Sequence, residues 1–194
     1  MRIISGKYGS RKLKTLTGNN TRPTEDRVRE AVFSRLGPYF NGGVILDLFA
    51  GSGAISLEAL SRGFDIAYLV DMSKEAVSVI YSNISDLKVQ DQTKVLNTGY
   101  RSALTKLKNQ DLKFDLIYLD PPYNKGIEKE ALDLIAHYDL LKYDGTIVVE
   151  TDKRTEIDPD KPYILEKTAT YGINRISYLR KEKADAESNL SGII

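Results

Sequence analysis

Apolar residues along this chain collect into short continuous runs, and between the runs they recur at helical spacing. The runs are Val44-Ile45-Leu46, Ile66-Ala67-Tyr68-Leu69-Val70, Thr93 to Asn97, Phe114 to Leu119 and Gly145 to Glu150. Runs of this length, bounded by charges, glycine or proline, read as strands buried on both faces of a parallel sheet. Helical patterning fills the gaps: from Ala54, from Ser73 (a cap) through about Leu87, over 100–108 and over 128–141. Strand alternating with helix predicts a doubly wound α/β domain with a mostly parallel sheet. Two last strand-like runs, Tyr163 to Tyr171 and Arg175 to Arg180, flank Gly172-Ile173-Asn174 and predict a C-terminal antiparallel hairpin that closes the sheet.

The first forty residues are patterned differently. Arg2 to Ser5 and Lys12 to Leu16, around a Gly6–Gly9 turn region, predict a small β-hairpin. Arg22-Pro23-Thr24 then opens a helix over roughly 24–37, with Thr24 as N-cap and Glu25-Asp26 in the first turn. Val28, Ala31, Val32 and Leu36 recur on one face of it, ready to pack on the sheet, before Gly37-Pro38 breaks it. The organisation expected is a hairpin-and-helix extension over 1–40, the α/β domain over 41–181 and a frayed charged tail over 182–194.

Charge sharpens that division. Residues 1–43 hold nine basic and three acidic side chains, a balance of +6, so the remainder of a chain with net charge +1 carries −5. A basic lobe on a mildly acidic body suits a polyanionic partner approached from one side, although a solvated basic face would look the same. At 194 residues and 41% hydrophobic content the chain fits one soluble domain with a sizeable core. No run approaches membrane-spanning length and nothing near Met1 resembles a signal peptide, so a cytoplasmic protein is expected. The absence of cysteine excludes disulfides, thiolate metal sites and a cysteine nucleophile. The single histidine, His137, lies in a helical pattern and cannot build a histidine metal site, so no metal is expected.

Candidate chemistry gathers at the strand ends, where ligands of open α/β sheets bind. After the first strand comes Asp47-Leu48-Phe49-Ala50-Gly51-Ser52-Gly53. Gly51 and Gly53 let a ligand approach the backbone and leave the next helix N-terminus facing it. A dinucleotide fingerprint needs a third glycine where Ser56 stands, which argues against a nicotinamide oxidoreductase. Asp47 suits a cationic ligand such as the amino group of S-adenosylmethionine; its plain alternative is capping the turn. Asp71 ends the second strand, where an acid commonly takes the two hydroxyls of a ribose.

The fourth strand stops in Asp120-Pro121-Pro122-Tyr123. Two prolines stiffen the backbone there in an extended form. The Asp120 carboxylate and the Pro121 carbonyl can each accept one N–H of an exocyclic amine on a planar base, freeing its delocalised lone pair for methylation. Tyr123 can stack on that base. The plain alternative is a strand ending at a stiff turn beside a core aromatic.

In this order, Asp47-x-Phe49-x-Gly51-x-Gly53, Asp71 and Asp120-Pro121-Pro122-Tyr123 resemble the class I S-adenosylmethionine-dependent methyltransferases. With the Arg2-Ile3-Ile4-Ser5-Gly6 start and Arg22-Pro23-Thr24-x-x-Arg27-Val28-Arg29-Glu30, the chain is similar over nearly its whole length to the RsmD family. That family methylates the exocyclic N2 of a guanine in small-subunit ribosomal RNA. The resemblance implies a Rossmann-like methyltransferase sheet, S-adenosylmethionine as cofactor, and small-subunit ribosomal RNA or the small subunit as partner, with no obligate protein partner evident. It places Asp47, Gly51 and Gly53 at the methionine end of the cofactor and Asp71 at its ribose, counts Phe49, Met72 and Thr24 among the cofactor-binding residues, and puts Arg22 and Thr24 beside the site. Asp120 to Tyr123 would hold the base, and Arg2, Lys7, Arg11, Lys12, Arg22 and Arg27 the RNA. Where many relatives place an acid or amide toward the adenine, this chain has Gly99, which leaves Asn97, Tyr100 or backbone groups for that contact. An adenine-N6 DNA methyltransferase would use the same loop, but no segment is long enough for a separate target-recognition region. A non-catalytic RNA-binding assembly factor on this fold would be expected to have a damaged glycine turn or loop.

Overall fold

The computed structural model describes residues 1–16, 23–122 and 126–182, with 23 and 24 described for their backbone alone. Five helices and seven strands follow one another as α1 (Pro23–Leu36), β1 (Val44–Asp47), α2 (Ala54–Ser61), β2 (Ile66–Asp71), α3 (Lys74–Leu87), β3 (Thr93–Asn97), α4 (Tyr100–Lys108), β4 (Phe114–Leu119), α5 (Ile127–His137), β5 (Leu141–Asp152), β6 (Tyr163–Tyr171) and β7 (Asn174–Lys181). They build one sheet of order β3-β2-β1-β4-β5-β7-β6. Strands β1 to β5 pair in parallel. β7 inserts antiparallel between β5 and β6. The expected Rossmann-like sheet with its antiparallel C-terminal hairpin is the sheet observed.

Both faces of the parallel strands are covered, which is why those strands read as continuous apolar runs. Ile45, Leu69, Leu116 and Val148 point to the face held by α1, α2 and α3, where Phe33, Leu57 and Ile80 meet them. Their neighbours Leu46, Val70, Ile117 and Val149 point to the other face, against α4 and α5 through Leu104, Leu107, Leu132 and Ile135. Each fully buried side chain of this kind contributes about 1.5–3 kcal/mol. From β1 the chain moves outward through β2 and β3, then returns to β4 on the opposite side. The carboxyl ends of β1 and β4 therefore flank the switch point at which such sheets open a crevice.

The N-terminal extension keeps the expected hairpin only as a minimal pairing: one isolated antiparallel bridge, Arg2 to Lys12, with Ile3 N–H donating to the Arg11 carbonyl at 2.9 Å and Leu13 N–H to the Met1 carbonyl at 3.1 Å, and no strand. The segment hydrogen-bonds chiefly to the helices beneath it. Glu58 of α2 accepts from the backbone N–H groups of Ile4 (2.7 Å) and Ser5 (3.1 Å). Ser61 Oγ donates to the Ser5 carbonyl at 2.6 Å and accepts from Tyr8 N–H at 2.9 Å. Asn83 of α3 brackets Lys14, accepting from its N–H at 2.8 Å and donating to its carbonyl at 3.0 Å. Contact is so close that a Cβ on Gly6, whose φ is +86°, would lie 1.9 Å from the Ser61 carbonyl oxygen. Ile3, Leu13, Val28 and Val32 join the same core as β1 and β4.

Three boundaries are corrected. α1 begins at Pro23 and ends at Leu36, so Thr24 lies in its first turn and is not its cap; proline at the first helical position loses no needed hydrogen bond. α5 ends at His137, four residues early, because Asp139 takes a left-handed φ of 50°. β5 starts at Leu141, four residues before Gly145, because Leu141 pairs with Phe114 across a bulge. The expected cap of α3 is present, Ser73 Oγ accepting from Ala76 N–H at 3.3 Å. The expected loop at 18–20 and the tail from 183 lie outside the described residues.

Candidate active site

The turn after β1 is tied to both neighbouring strands. Leu48 N–H donates to the Tyr118 carbonyl at 3.1 Å, and Ala50 N–H to the Val70 carbonyl at 2.9 Å. Gly51 then takes φ +54°, and a Cβ placed on it would meet no protein atom within 4 Å. Gly53 also has a positive φ, but its Cβ would strike Leu69 at 3.0 Å. Gly51 thus borders open space, whereas Gly53 sets the start of α2 against the core.

Two cavities meet here and share Leu16, Phe49 and Asp120. The larger, about 580 Å³, runs over Asp71, Met72, Gly99, Tyr100, Pro121 and Pro122. Asp71 is held by two backbone donors, Gly51 N–H at 2.9 Å and Ser73 N–H at 2.8 Å. The Tyr100 ring sits 5.7 Å from that of Phe49, and its hydroxyl donates to Glu130 at 2.8 Å. A Cβ on Gly99 would meet nothing within 4 Å. The Asn97 amide donates to the Asp71 carbonyl at 3.0 Å and lies outside the lining of both cavities.

The smaller cavity, about 250 Å³, is acidic. Asp47 on β1, Asp120 after β4 and Glu150 on β5 line it, with Glu25 of α1 across from them. Asp47 is buried and accepts from Ser56 Oγ at 3.1 Å. Burial pushes its carboxyl up to about 7, against the pull of the Ser56 bonds and with some added repulsion from Asp71. Asp120 stands at the mouth, its own surface exposed. Crowding by protein, then repulsion from Glu150, Asp47 and Glu25, push its carboxyl well above the usual carboxylate range. Glu150 accepts from the Tyr118 hydroxyl and from the Asn174 amide, each at 2.5 Å. Burial raises its carboxyl and these two donors oppose the rise. So many acids in one partly dry chamber leave it short of positive charge, and a cationic ligand would relieve all of them.

The extension forms the opposite wall of this chamber, through Met1, Thr15 and Leu16 and through Val28 and Arg29 of α1. Its charges divide into two sets. Arg29 is buried against Asp26 (2.8 Å) and Glu58 (3.6 Å), and Lys14 pairs with Asp86 (2.9 Å). Arg2, Lys7, Arg11, Lys12 and Arg27 are exposed, and none makes an ion pair among the described residues. Arg22 and Tyr123 lie outside the described residues, and of Thr24 only the backbone is described. Glu150, with Tyr118 and Asn174, is the part that reading the sequence missed. A strand-end acid in Val148-Val149-Glu150 was the available signal, the same one that marks Asp47 and Asp71. Among the described residues no cluster of three or more acids and histidines could hold a metal ion. Nor is any described helix long and apolar enough to cross a membrane.

A sheet of order 3-2-1-4-5-7-6, whose strand ends gather a glycine turn, strand-end acids and an Asp-Pro-Pro loop in one crevice, defines the methyltransferase class of doubly wound proteins. The family described as conserved hypothetical protein 95 matches residues 1–180. A Bacillus subtilis protein named "Putative rRNA methyltransferase YlbH" is 39% identical over 182 residues, 93% of this chain and 99% of the relative. Ribosomal RNA small subunit methyltransferase D of Haemophilus influenzae is 35% identical over 179 residues, 92% of this chain and 91% of the relative. Among solved structures, "Putative methyltransferase yhhF" from Escherichia coli superposes with a TM-score of 0.82 at 31% identity, covering 95% of this chain and 99% of that one. The chain belongs to the conserved hypothetical protein 95 family, the RsmD family of methyltransferases.

Proposed function

We propose that this protein transfers a methyl group from S-adenosylmethionine to the exocyclic N2 amine of a guanine in small-subunit ribosomal RNA. One observation carries the reading: Asp120 lies at the junction of two cavities, of which one is bordered by the open Gly51 turn and the other by Asp71. The lining fits the cofactor. Asp47 and the Gly51 turn would hold its charged methionine end, Asp71 its ribose, and Met72, Gly99 and Tyr100 its adenine. S-adenosylmethionine supplies, when bound, a methyl group on positively charged sulfur, so the protein's work is positioning and desolvation. Asp120 would accept one N–H of the target amine and the Pro121 carbonyl the other. As the methyl group's bond to sulfur gives way to its bond to nitrogen, the carboxylate of Asp120 would take up the amine proton. The relatives' names, together with the exposed cations Arg2, Lys7, Arg11, Lys12 and Arg27 of the extension, support ribosomal RNA as substrate.

The deciding experiment is labelled methyl transfer to unmodified small subunits, naked ribosomal RNA and duplex DNA, with the methylated nucleosides identified by mass. N2-methylguanosine from the ribosomal substrates is expected; N6-methyladenine from DNA would overturn the reading.

Two further outcomes follow from this site. With the Asp47 carboxyl raised to about 7, holding the ligand's ammonium as a carboxylate would require it to give up a proton at lower pH. Binding therefore releases a proton below that pH. Affinity for S-adenosylmethionine, measured by calorimetry, should fall as pH drops from 8 to 6, approaching about tenfold per unit below 7. A flat profile would remove Asp47 from the ammonium site. Changing Lys7 and Lys12 together to Gln should weaken RNA binding in a sequence-independent way and reduce the slope of log affinity against log salt by roughly one per lost phosphate contact. An unchanged slope would place the RNA on another face.

A further inference from the structure

An Asp-Pro-Pro loop holds an exocyclic amine without identifying the base, since the N2 of guanine, the N6 of adenine and the N4 of cytosine all present N–H donors. What differs is the neighbouring ring nitrogen. Beside N2, guanine carries N1–H, a donor. Beside N6, adenine carries a bare N1, and beside N4, cytosine carries a bare N3; both are acceptors. A group that reads this position decides the base.

The structure puts one candidate there. Leu119 of β4 and Val149 of β5 are register partners. Asp120 is the first residue past β4, and Glu150, still within β5 and paired with Ile176 of β7, is the next residue on the adjacent strand, so the two lie side by side with backbones about 5 Å apart. Both line the same small cavity. Glu150 is 8% exposed, so what it shows is turned into that cavity and not to bulk water. Its carboxylate is fixed from behind: Tyr118 on β4 donates to Oε2, and Asn174 on β7 donates to Oε1. Each carboxylate oxygen has two acceptor sites. One donor apiece leaves both oxygens with acceptor capacity to spare, so the group can take a further donor from the cavity.

We infer that Glu150 accepts N1–H of the target guanine while Asp120 accepts from N2, and that Glu150 makes this a guanine site by repelling the bare ring nitrogen of adenine or cytosine. The inference rests on the proposed function and adds to it the residue that selects the base. A buried carboxylate facing a lone pair leaves both acceptors without a donor, and sites built to hydrogen-bond a substrate group discriminate strongly against analogues lacking it.

The test uses the full-length protein and small subunits assembled with RNA ligated to carry either guanosine or 2-aminopurine riboside at the mapped target position. 2-Aminopurine keeps the N2 amine and replaces N1–H with a bare nitrogen. Wild type should prefer guanosine in kcat/KM by about 10- to 100-fold. Glu150→Gln, whose amide can offer an N–H to that bare nitrogen, should lower the guanosine rate and shrink the preference at least tenfold. A role confined to tying β4, β5 and β7 together would lower both rates alike and leave the preference unchanged, which would overturn the inference. Should the variant fail to fold, wild type alone decides: rates on the two bases within threefold would overturn it, and a preference above tenfold would support it. Absence of N2-methylguanosine from wild type on the natural substrate would overturn the proposed function itself, a result distinguishable from loss of base preference alone.

Discussion

Asp120→Ala is expected to cut methyl transfer by about 10³-fold while leaving S-adenosylmethionine affinity within about tenfold of wild type. The carboxylate is asked to do two things: hold an N–H of a weakly nucleophilic amine and take up the proton as the new bond forms. A positioned acid or base contributes about 10²–10⁴-fold. The residues proposed to anchor the cofactor, Asp47, the Gly51 turn and Asp71, lie elsewhere, so the loss should fall on kcat. The raised carboxyl of Asp120 supports the same role, because its largest causes are crowding and three like charges that a cationic ligand would offset. Single-turnover transfer and cofactor titration on one preparation check this. Activity within tenfold of wild type would remove Asp120 from the proton path.

Glu58→Ala should cost about 3–5 kcal/mol of folding stability, the range seen when one partner is removed from a buried charge cluster. Glu58 is fully buried and accepts from Arg62 Nε at 2.7 Å, with Arg29 Nε at 3.6 Å. It also accepts from the backbone of Ile4 and Ser5. Alanine would leave two guanidinium groups, each under 5% exposed, and two backbone donors without that partner. For a domain this size the loss is a fall in melting temperature on the order of 10 °C, read by calorimetry. A fall under 3 °C would mean the two arginines find water or other acceptors. Below the melting transition the variant should also show a raised KM for RNA, since Ile4 and Ser5 anchor the segment that carries Lys7 and Lys12.

Strands and turn were legible in the sequence because their signals are local. Phe114 to Leu119 is apolar because both faces of that strand are covered, and Gly51 is glycine where the backbone turns left-handed at the edge of open space. The extension was legible only in part, for the opposite reason. The alternation in residues 2–16 corresponds to the Arg2–Lys12 pairing, but the backbone also finds partners in Glu58, Ser61 and Asn83, more than fifty residues away, and no local pattern announces them. Glu150 escaped notice likewise. It closes an apolar run that reads as strand, and its meaning comes from Tyr118 thirty-two residues before it and Asn174 twenty-four after. His137, read as part of a helical pattern, lies exposed in the last turn of α5.

The buried Glu58 clamp also determines how freely the basic extension could be exchanged between related proteins. Residues 1–16 share their hydrogen bonds with α2 and α3 and form a wall of the acidic cavity, so they are not a detachable address label. A graft of this segment onto another doubly wound domain would bring its lysines and arginines but lose its footing unless the acceptors and donors at 58, 61 and 83 travelled with it. On the proposed function, target choice and catalytic geometry in this architecture would be inherited together.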